Sequence, residues 1–129
     1  EVTPILVDAN EGARILGIGL PTFYKFTRRN EATPTILLGS LQRWKRHDIL
    51  RIAGKKIAPL PVPEDVLVDA KTISKLCSIS RPLFYKLNQL GVTPEPILDG
   101  RTLRWSFHEI VEWIEEGCPQ LKTKRRRWQ

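Results

Sequence analysis

The sequence of 129 residues predicts a mainly α-helical protein with small β-hairpins, built from two tandem copies of one unit. The stretch Pro-Thr-Phe-Tyr-Lys-Phe at 21–26 returns as Pro-Leu-Phe-Tyr-Lys-Leu at 82–87. Sliding the chain by 61 positions without a gap gives sixteen identities across residues 6–54. Agreement at about a third of the positions without an insertion indicates a duplicated structural unit.

The repeat divides the chain into four parts. We assign copy 1 to residues 1–54, a proline-rich linker to 55–65, copy 2 to 66–118 and a basic tail to 119–129. Each copy is long enough to bury a small core of its own. Alternating prolines favour an extended, stiff linker, so we expect the copies to be held at a limited range of separations.

The first two helices of copy 2 are predicted from their caps. Asp69 can cap a helix whose residues Ile73 and Leu76 face the core. After a short turn, Ser80 can cap a second helix that accepts Pro82 in its first turn, where a missing N–H is harmless. Two short helices joined by a tight turn are typical of the helix-turn-helix motif.

The second helix of copy 2 is predicted to be amphipathic. Phe84 and Leu87 are three residues apart and face inward, whereas Arg81, Tyr85 and Gln89 recur every four residues on the opposite face. The polar face is therefore available for contact with a partner.

A hairpin and a closing helix complete the unit. Residues 97–105 form two extended runs around an Asp-Gly turn, which predicts a hairpin wing. In the following helix Ile110, Trp113 and Ile114 share one face, and Gly117 can end it. Trp105 and Trp113 are expected as core anchors, since a small unit needs large buried side chains.

Together these residues resemble the excisionase-type and AlpA-type phage regulators, whose small helix-turn-helix domains are related to MerR-type regulators. The resemblance covers nearly all of residues 67–117 and implies tandem winged helix-turn-helix modules. It rests on this pattern: Ile79-Ser80-x-x-x-Phe84-Tyr85-Lys86-Leu87, Gly91, Pro94-x-Pro96-Ile97, Gly100-Arg101, Arg104-Trp105 and Glu109-Ile110-x-x-Trp113-Ile114.

Copy 1 matches this pattern less well. Gly19 replaces the capping Ser80, and Gly12 and Gly17 are expected to weaken its first helix. Leu20 replaces Arg81, and Ser40 replaces Arg101. These departures weaken the expectation that copy 1 recognises a DNA sequence.

The net charge of +7 is unevenly distributed. Residues 1–61 carry ten Lys and Arg against five Asp and Glu, residues 62–121 carry six against nine, and residues 122–129 carry five against none. A basic excess is typical of nucleic-acid binders. The acidic residues of copy 2 are concentrated on the closing helix, which in this family packs behind the DNA-contacting surface.

The resemblance implies that the second helix enters the major groove and that the wing lies along the adjacent backbone. Arg81 is the strongest candidate for a base contact, and Lys25 and Lys86 for phosphate contacts. Arg43 and Arg104 are assigned to phosphate or minor-groove contact, with a structural ion pair as the alternative. Tyr24 and Tyr85 could each donate a hydroxyl to a phosphate, with a packing role as the alternative. The full predicted set is Thr22, Tyr24, Lys25, Arg28, Arg29, Arg43, Lys45, Arg46, Ser80, Arg81, Tyr85, Lys86, Gln89, Arg101, Arg104, Lys124, Arg125 and Arg126.

Catalytic and metal-binding patterns are missing from the sequence. Cys77 and Cys118 lack the spacing of a zinc site, and Cys77 is expected to be a small buried side chain. His47 and His108 fall where the closing helices begin, which favours a capping role over metal binding. We therefore expect no enzyme activity, no cofactor, no metal, no small-molecule substrate and no membrane association, and a cytoplasmic location with the nucleoid.

The sequence thus predicts sequence-specific binding of double-stranded DNA, as an excisionase (a recombination directionality factor) or as a phage-type transcriptional regulator. Two DNA-binding copies on a short linker suggest directly repeated half-sites about 10 bp apart. The alternative is a protein-interaction adaptor, in which one copy, expected to be copy 1, binds a site-specific recombinase or RNA polymerase.

Overall fold

The computed structural model describes residues 2–54, 66–98 and 101–120. This part of the chain is a mixed α/β structure with six helices and small antiparallel sheets. The predicted linker, the Asp-Gly turn at 99–100 and the tail cations Lys124, Arg125 and Arg126 lie outside the described residues. The elements of copy 1 are β1 (Leu6–Val7), α1 (Ala9–Leu16), α2 (Leu20–Arg29), β2 (Ile36–Leu38), β3 (Leu41–Lys45) and α3 (Arg46–Ile52). Those of copy 2 are β4 (Leu67–Val68), α4 (Ala70–Cys77), α5 (Arg81–Gln89), β5 (Trp105–Ser106) and α6 (Phe107–Glu115).

The predicted helix caps are confirmed. The carboxylate of Asp69 accepts a hydrogen bond from the N–H of Thr72 at 2.9 Å, and Asp8 caps α1 in the same way. The hydroxyl of Ser80 accepts a hydrogen bond from the N–H of Leu83 at 3.3 Å at the start of α5. Gly19, at the equivalent position before α2, has no side chain that could cap. The repeated helix pair therefore begins at equivalent positions in both copies.

The hairpin is complete in copy 1. Strands β2 and β3 pair in antiparallel register from Ile36 opposite Arg43 to Leu38 opposite Leu41, and Gly39 in the turn has a φ of +65°. In the described part of the copy 2 hairpin, the two runs meet at the bridge between Leu98 and Arg104. The strands before α1 and α4 were not predicted, because two residues carry too weak a pattern to indicate a strand.

The closing helix of copy 2 corrects one prediction. Ser106, not His108, caps α6 by accepting a hydrogen bond from the N–H of Glu109 at 3.2 Å. His108 lies inside the first turn, where its Nε2 is 3.2 Å from a carboxylate oxygen of Glu112. His47 likewise lies inside α3 rather than at its cap. The side chain that caps a helix belongs to the residue just before it, and these positions are occupied by Ser106 and Lys45.

Burial of the predicted core residues is confirmed. In copy 2 these are Ile73, Leu76, Cys77, Phe84, Leu87, Trp105, Ile110, Trp113 and Ile114. The outer-face residues Arg81, Tyr85 and Gln89 of α5 are exposed. The helical periodicity thus assigned both faces of α5 correctly.

The two copies share a hydrophobic core, which differs from the expectation of separate small cores. One buried cluster lies wholly in copy 1 and includes Phe23, Trp44 and Ile49. The other cluster combines copy 2 residues with Ile5, Leu6, Ile36 and Leu38 of copy 1. Two hydrogen bonds between the copies accompany this packing. The N–H of Ile5 donates to the carbonyl of Leu76 at 2.9 Å, and the hydroxyl of Ser78 donates to the carbonyl of Leu6 at 2.7 Å. The linker is therefore not what sets the separation of the copies.

Two glycines of copy 1 have structural roles that the sequence analysis did not assign. Gly17 ends α1 in the left-handed region at φ +69°, so it lies at the helix cap and does not weaken the interior. Gly12 faces the ring of the fully buried Phe23: a Cβ at Gly12 would lie 2.6 Å from its Cε1 and Cζ atoms. Close packing of α1 on α2 therefore requires glycine at position 12.

We expect Gly12→Ala to destabilise the protein. The overpacked contact costs about 1–3 kcal/mol, and it opposes a gain of about 1 kcal/mol in helix propensity. Because the Phe23 ring is fully buried, we expect the overpacking to outweigh the gain in helix propensity, with a net loss of up to about 2 kcal/mol. Urea unfolding measures it. Asn10→Ala, at an exposed position of α1, is the control, and equal or higher stability of Gly12→Ala would contradict the packing argument.

Candidate nucleic-acid interface

Each copy contains a cleft between the start of its first helix, its second helix and its hairpin region. The copy 2 cleft has a volume of about 350 Å³ and is lined by Asp69, Ala70, Lys71, Arg81, Tyr85, Arg101, Thr102, Leu103 and Arg104. The copy 1 cleft has a volume of about 280 Å³ and is lined by Asp8, Ala9, Asn10, Leu20, Tyr24, Ser40, Leu41, Gln42 and Arg43. Every lining residue of one cleft lies 61 positions from a lining residue of the other. The fold therefore builds the same cleft twice.

The two clefts differ in charge. The copy 2 cleft holds four cationic side chains, Lys71, Arg81, Arg101 and Arg104, and the single carboxylate of Asp69. In copy 1 the first three of these positions are Asn10, Leu20 and Ser40, which leaves Arg43 with Asp8. Since a concave surface of one charge sign concentrates the electrostatic potential, the copy 2 cleft is the one suited to a polyanion.

The cations of the copy 2 cleft adjoin the exposed outer face of α5. Arg81 is the first residue of that helix and is exposed, and Tyr85 follows one turn later with 42% of its surface exposed. Gln89 and Lys86 continue along the exposed side of the helix. Arg104 is half-buried, with its Nη1 donating to the carbonyl of Leu103 at 2.7 Å. The cleft and the helix face thus form one continuous polar surface.

Asp69 supplies the one carboxylate that lines the copy 2 cleft, and it also caps α4. Hydrogen bonds from Thr72 lower the pKa of Asp69, and the nearby positive charge of Arg104 lowers it further. The carboxylate is therefore ionised at neutral pH and is directed towards the N-terminus of α4.

Arg43 is placed differently from its equivalent Arg104. Its Nε and Nη2 donate to the carbonyl of Ser78 at 2.9 and 2.8 Å, and its Nη1 donates to the carbonyl of Gln42 at 2.7 Å. The Nζ of Lys45 likewise donates to the carbonyl of Glu115 at 2.7 Å. Both side chains thus bridge copy 1 to copy 2.

The other predicted residues of copy 1 lie in separate places. Tyr24 is half-buried and packs edge-on against Trp44, with ring centroids 6.0 Å apart. Arg28 is exposed near the end of α2, and Arg46 is the first residue of α3. The hydrogen bond from Arg14 lowers the pKa of Glu11, and the charge of Arg46 lowers it further. The residues Thr22, Lys25 and Arg29 line a further open concavity of about 710 Å³ with Phe26 and residues 30–32. The structure does not gather these residues into one cationic site.

Lys71 is the one cation lining the copy 2 cleft that is absent from the set predicted from the sequence. An exposed lysine on a short helix has the pattern of ordinary solvated charge. The sequence distinguishes Lys71 only in that it replaces Asn10, the uncharged residue at the equivalent position of copy 1. Its position in the cleft is decided by how α4 packs against the hairpin region.

Other chemistry is not indicated in the described residues. Burial raises the pKa of the Cys77 thiol, and it raises that of Cys118 to about 12, so both thiols are protonated at neutral pH. Within the described ranges no three His, Cys, Asp or Glu side chains form a group that could hold a metal ion. None of the described helices has the length and apolar character required to cross a membrane.

Comparisons with protein-family models, with curated proteins and with solved structures find no match to this chain. What it does must therefore be inferred from its own residues.

Proposed function

We propose that this chain binds double-stranded DNA with sequence preference through copy 2, as a tandem winged helix-turn-helix protein of the excisionase or AlpA type. The single observation that carries the proposal is the cleft with four cations beside the exposed face of α5. In this proposal α5 enters the major groove and the segment that carries Arg101 and Arg104 follows the adjacent phosphate backbone. Such a protein acts with the nucleoid in the cytoplasm, in recombination directionality or in transcriptional regulation.

The residues divide into base contacts and phosphate contacts. Arg81 at the start of α5 can hydrogen-bond bidentately to the O6 and N7 atoms of guanine, and Gln89 to adenine. Lys71, Arg101 and Arg104 surround the cleft and can neutralise phosphates, which positions the helix without specifying the sequence. Tyr85 lies between the two groups and can donate its hydroxyl to a phosphate oxygen.

Copy 1 has a supporting role in this proposal. Its cleft retains one arginine, and that guanidinium is bound to the carbonyl of Ser78, in the turn that precedes α5. The tip of its hairpin also lies on α5, since a Cβ at Gly39 would be 3.8 Å from Leu83. Copy 1 therefore holds α5 in place. The chain then has one DNA-contacting surface and binds one site, not the two half-sites that the linker suggested.

A second candidate function is a protein-interaction adaptor. The open concavity of copy 1 combines the apolar Phe26 with the cations Lys25 and Arg29 and the single carboxylate of Glu31. This combination suits an acidic segment of a protein such as a site-specific recombinase or RNA polymerase. The adaptor is favoured if the chain binds such a partner and no duplex.

The test of DNA binding is selection of duplexes from a random pool with the full chain, followed by affinity measurements at several salt concentrations. With four cations at the cleft, we expect log Kd to rise with log salt with a slope of about 3–4. Arg104→Ala should reduce that slope by about 1. Arg43→Ala should leave the slope unchanged, because its guanidinium is bound to the protein backbone. Failure of the folded chain to bind any duplex at low salt would refute the proposal.

A further inference from the structure

The two copies contact each other head to tail, through different surfaces. Copy 1 contributes its hairpin face, which we define as Ile5, Leu6 and Ile36. Copy 2 contributes its helix face, which comprises Leu76, Leu83 and Leu87. The duplication places an equivalent of each face on the other copy: the hairpin face of copy 2 is Val66, Leu67 and Ile97, and the helix face of copy 1 is Ile15, Thr22 and Phe26.

The hairpin face of copy 2 is uncovered. Val66, Leu67 and Ile97 are 44%, 42% and 54% exposed. Their equivalents Ile5, Leu6 and Ile36 in copy 1 are 5%, 0% and 4% exposed. The same three positions of the unit are therefore core in one copy and an exposed apolar patch in the other, which marks a surface for association.

The helix face of copy 1 is open at Thr22 and Phe26, while its third residue, Ile15, is half-buried and packs on the core of copy 1. Thr22 is exposed and Phe26 half-buried, and both line the open concavity of about 710 Å³. Their equivalents Leu83 and Leu87 lie against the hairpin of copy 1, since a Cβ at Gly39 would be 3.8 and 3.9 Å from these side chains. The concavity thus lies where copy 2 receives a hairpin.

We propose that a second molecule of this chain occupies that concavity, with its copy 2 hairpin face on the copy 1 helix face of its neighbour. The contact within each chain would then be repeated between chains. Because the two faces differ, each chain keeps one of each kind free, and addition continues head to tail unless the rotation closes a ring.

The contact within the chain identifies this occupant. There the hairpin face of copy 1 is buried on copy 2, and the N–H of Ile5 donates to the carbonyl of Leu76 at 2.9 Å. A second molecule supplies the same kind of face, because Val66, Leu67 and Ile97 occupy the positions of Ile5, Leu6 and Ile36. The receiving concavity holds the apolar Phe26 beside Lys25, Arg29 and Glu31.

The contact between chains is weaker than the contact within a chain. A covalent link supplies an effective concentration in the millimolar range, which separate chains lack. Thr22 also offers less apolar surface than Leu83. We therefore expect association at about 10–500 µM.

Sedimentation velocity of the full chain without DNA tests the proposal over that concentration range. We expect dimers and longer species for the wild type, and monomers for both Ile97→Asp and Thr22→Arg. Each variant keeps one intact face, so an equimolar mixture should form a 1:1 heterodimer that grows no further. Leu37→Asp is the matched control, since Leu37 is an exposed hairpin residue outside both free faces, and it should associate like the wild type.

Three results would overturn the proposal. One is a wild-type chain that stays monomeric throughout the range, as expected if the basic tail covers the hairpin face of its own molecule. The others are dimers formed by Ile97→Asp or Thr22→Arg alone, and a mixture of the two that forms no heterodimer. Circular dichroism verifies that both variants are folded, and both substitutions lie at exposed positions. Because no DNA is present, failure here leaves the proposed DNA binding untouched.

Discussion

Leu6→Ala should lower the free energy of unfolding by about 2–5 kcal/mol, whereas Leu67→Ala should lower it by well under about 1 kcal/mol. The two leucines occupy equivalent positions of the duplicated unit, and both begin a two-residue strand. Leu6 is 0% exposed in the core shared by the two copies, and Leu67 is 42% exposed. Truncation of Leu6 leaves a cavity between the copies, while truncation of Leu67 removes atoms that already contact water.

Urea unfolding followed by far-UV circular dichroism and by tryptophan fluorescence measures both variants. Because the copies share one core, we expect a single transition at which the two signals coincide. The Leu67→Ala variant is the control for loss of strand propensity and of side-chain volume. Equal costs for the two substitutions, or two separate transitions in the wild type, would show that the copies fold independently.

Arg81→Ala should weaken binding to the preferred duplex about 5-fold to 150-fold, the effect of about 1–3 kcal/mol for one bidentate base contact. It should also relax the preference at one base pair, because the other contacts of α5 remain. Binding to random duplexes should change much less, since Arg81 supplies only one of the four cleft cations. Fluorescence anisotropy with the selected duplex and with a scrambled duplex separates the two effects.

Leu20→Ala is the matched control, because Leu20 occupies the position of Arg81 in the copy 1 cleft. It should bind both duplexes like the wild type. An Arg81→Ala variant that loses the same factor on both duplexes would show that Arg81 contacts phosphate only. If Leu20→Ala were the weaker binder, the assignment of the DNA surface to copy 2 would be wrong.

Several parts of the candidate surface could be named from the sequence. Arg81, Tyr85 and Gln89 recur every four residues on a helix whose other face carries Phe84 and Leu87, and the structure places them on the exposed side. Lys71 could not be found this way, since its role depends on a hairpin region about thirty residues further along the chain. Periodicity reports which face of a helix is polar, but not what lies opposite that face.

The sequence by itself determined the duplication, the helix caps at Asp69 and Ser80, and the buried side of each helix of copy 2. These features depend on residues within a few positions of one another, so the local pattern contains them. The tertiary structure alone decided that the copies share a core and that Arg43 contacts the carbonyl of Ser78 while its equivalent Arg104 lines a cationic cleft. Identical residues in a repeat have the same local preferences, and only their neighbours in space, here 35 positions away in the chain, give them different roles.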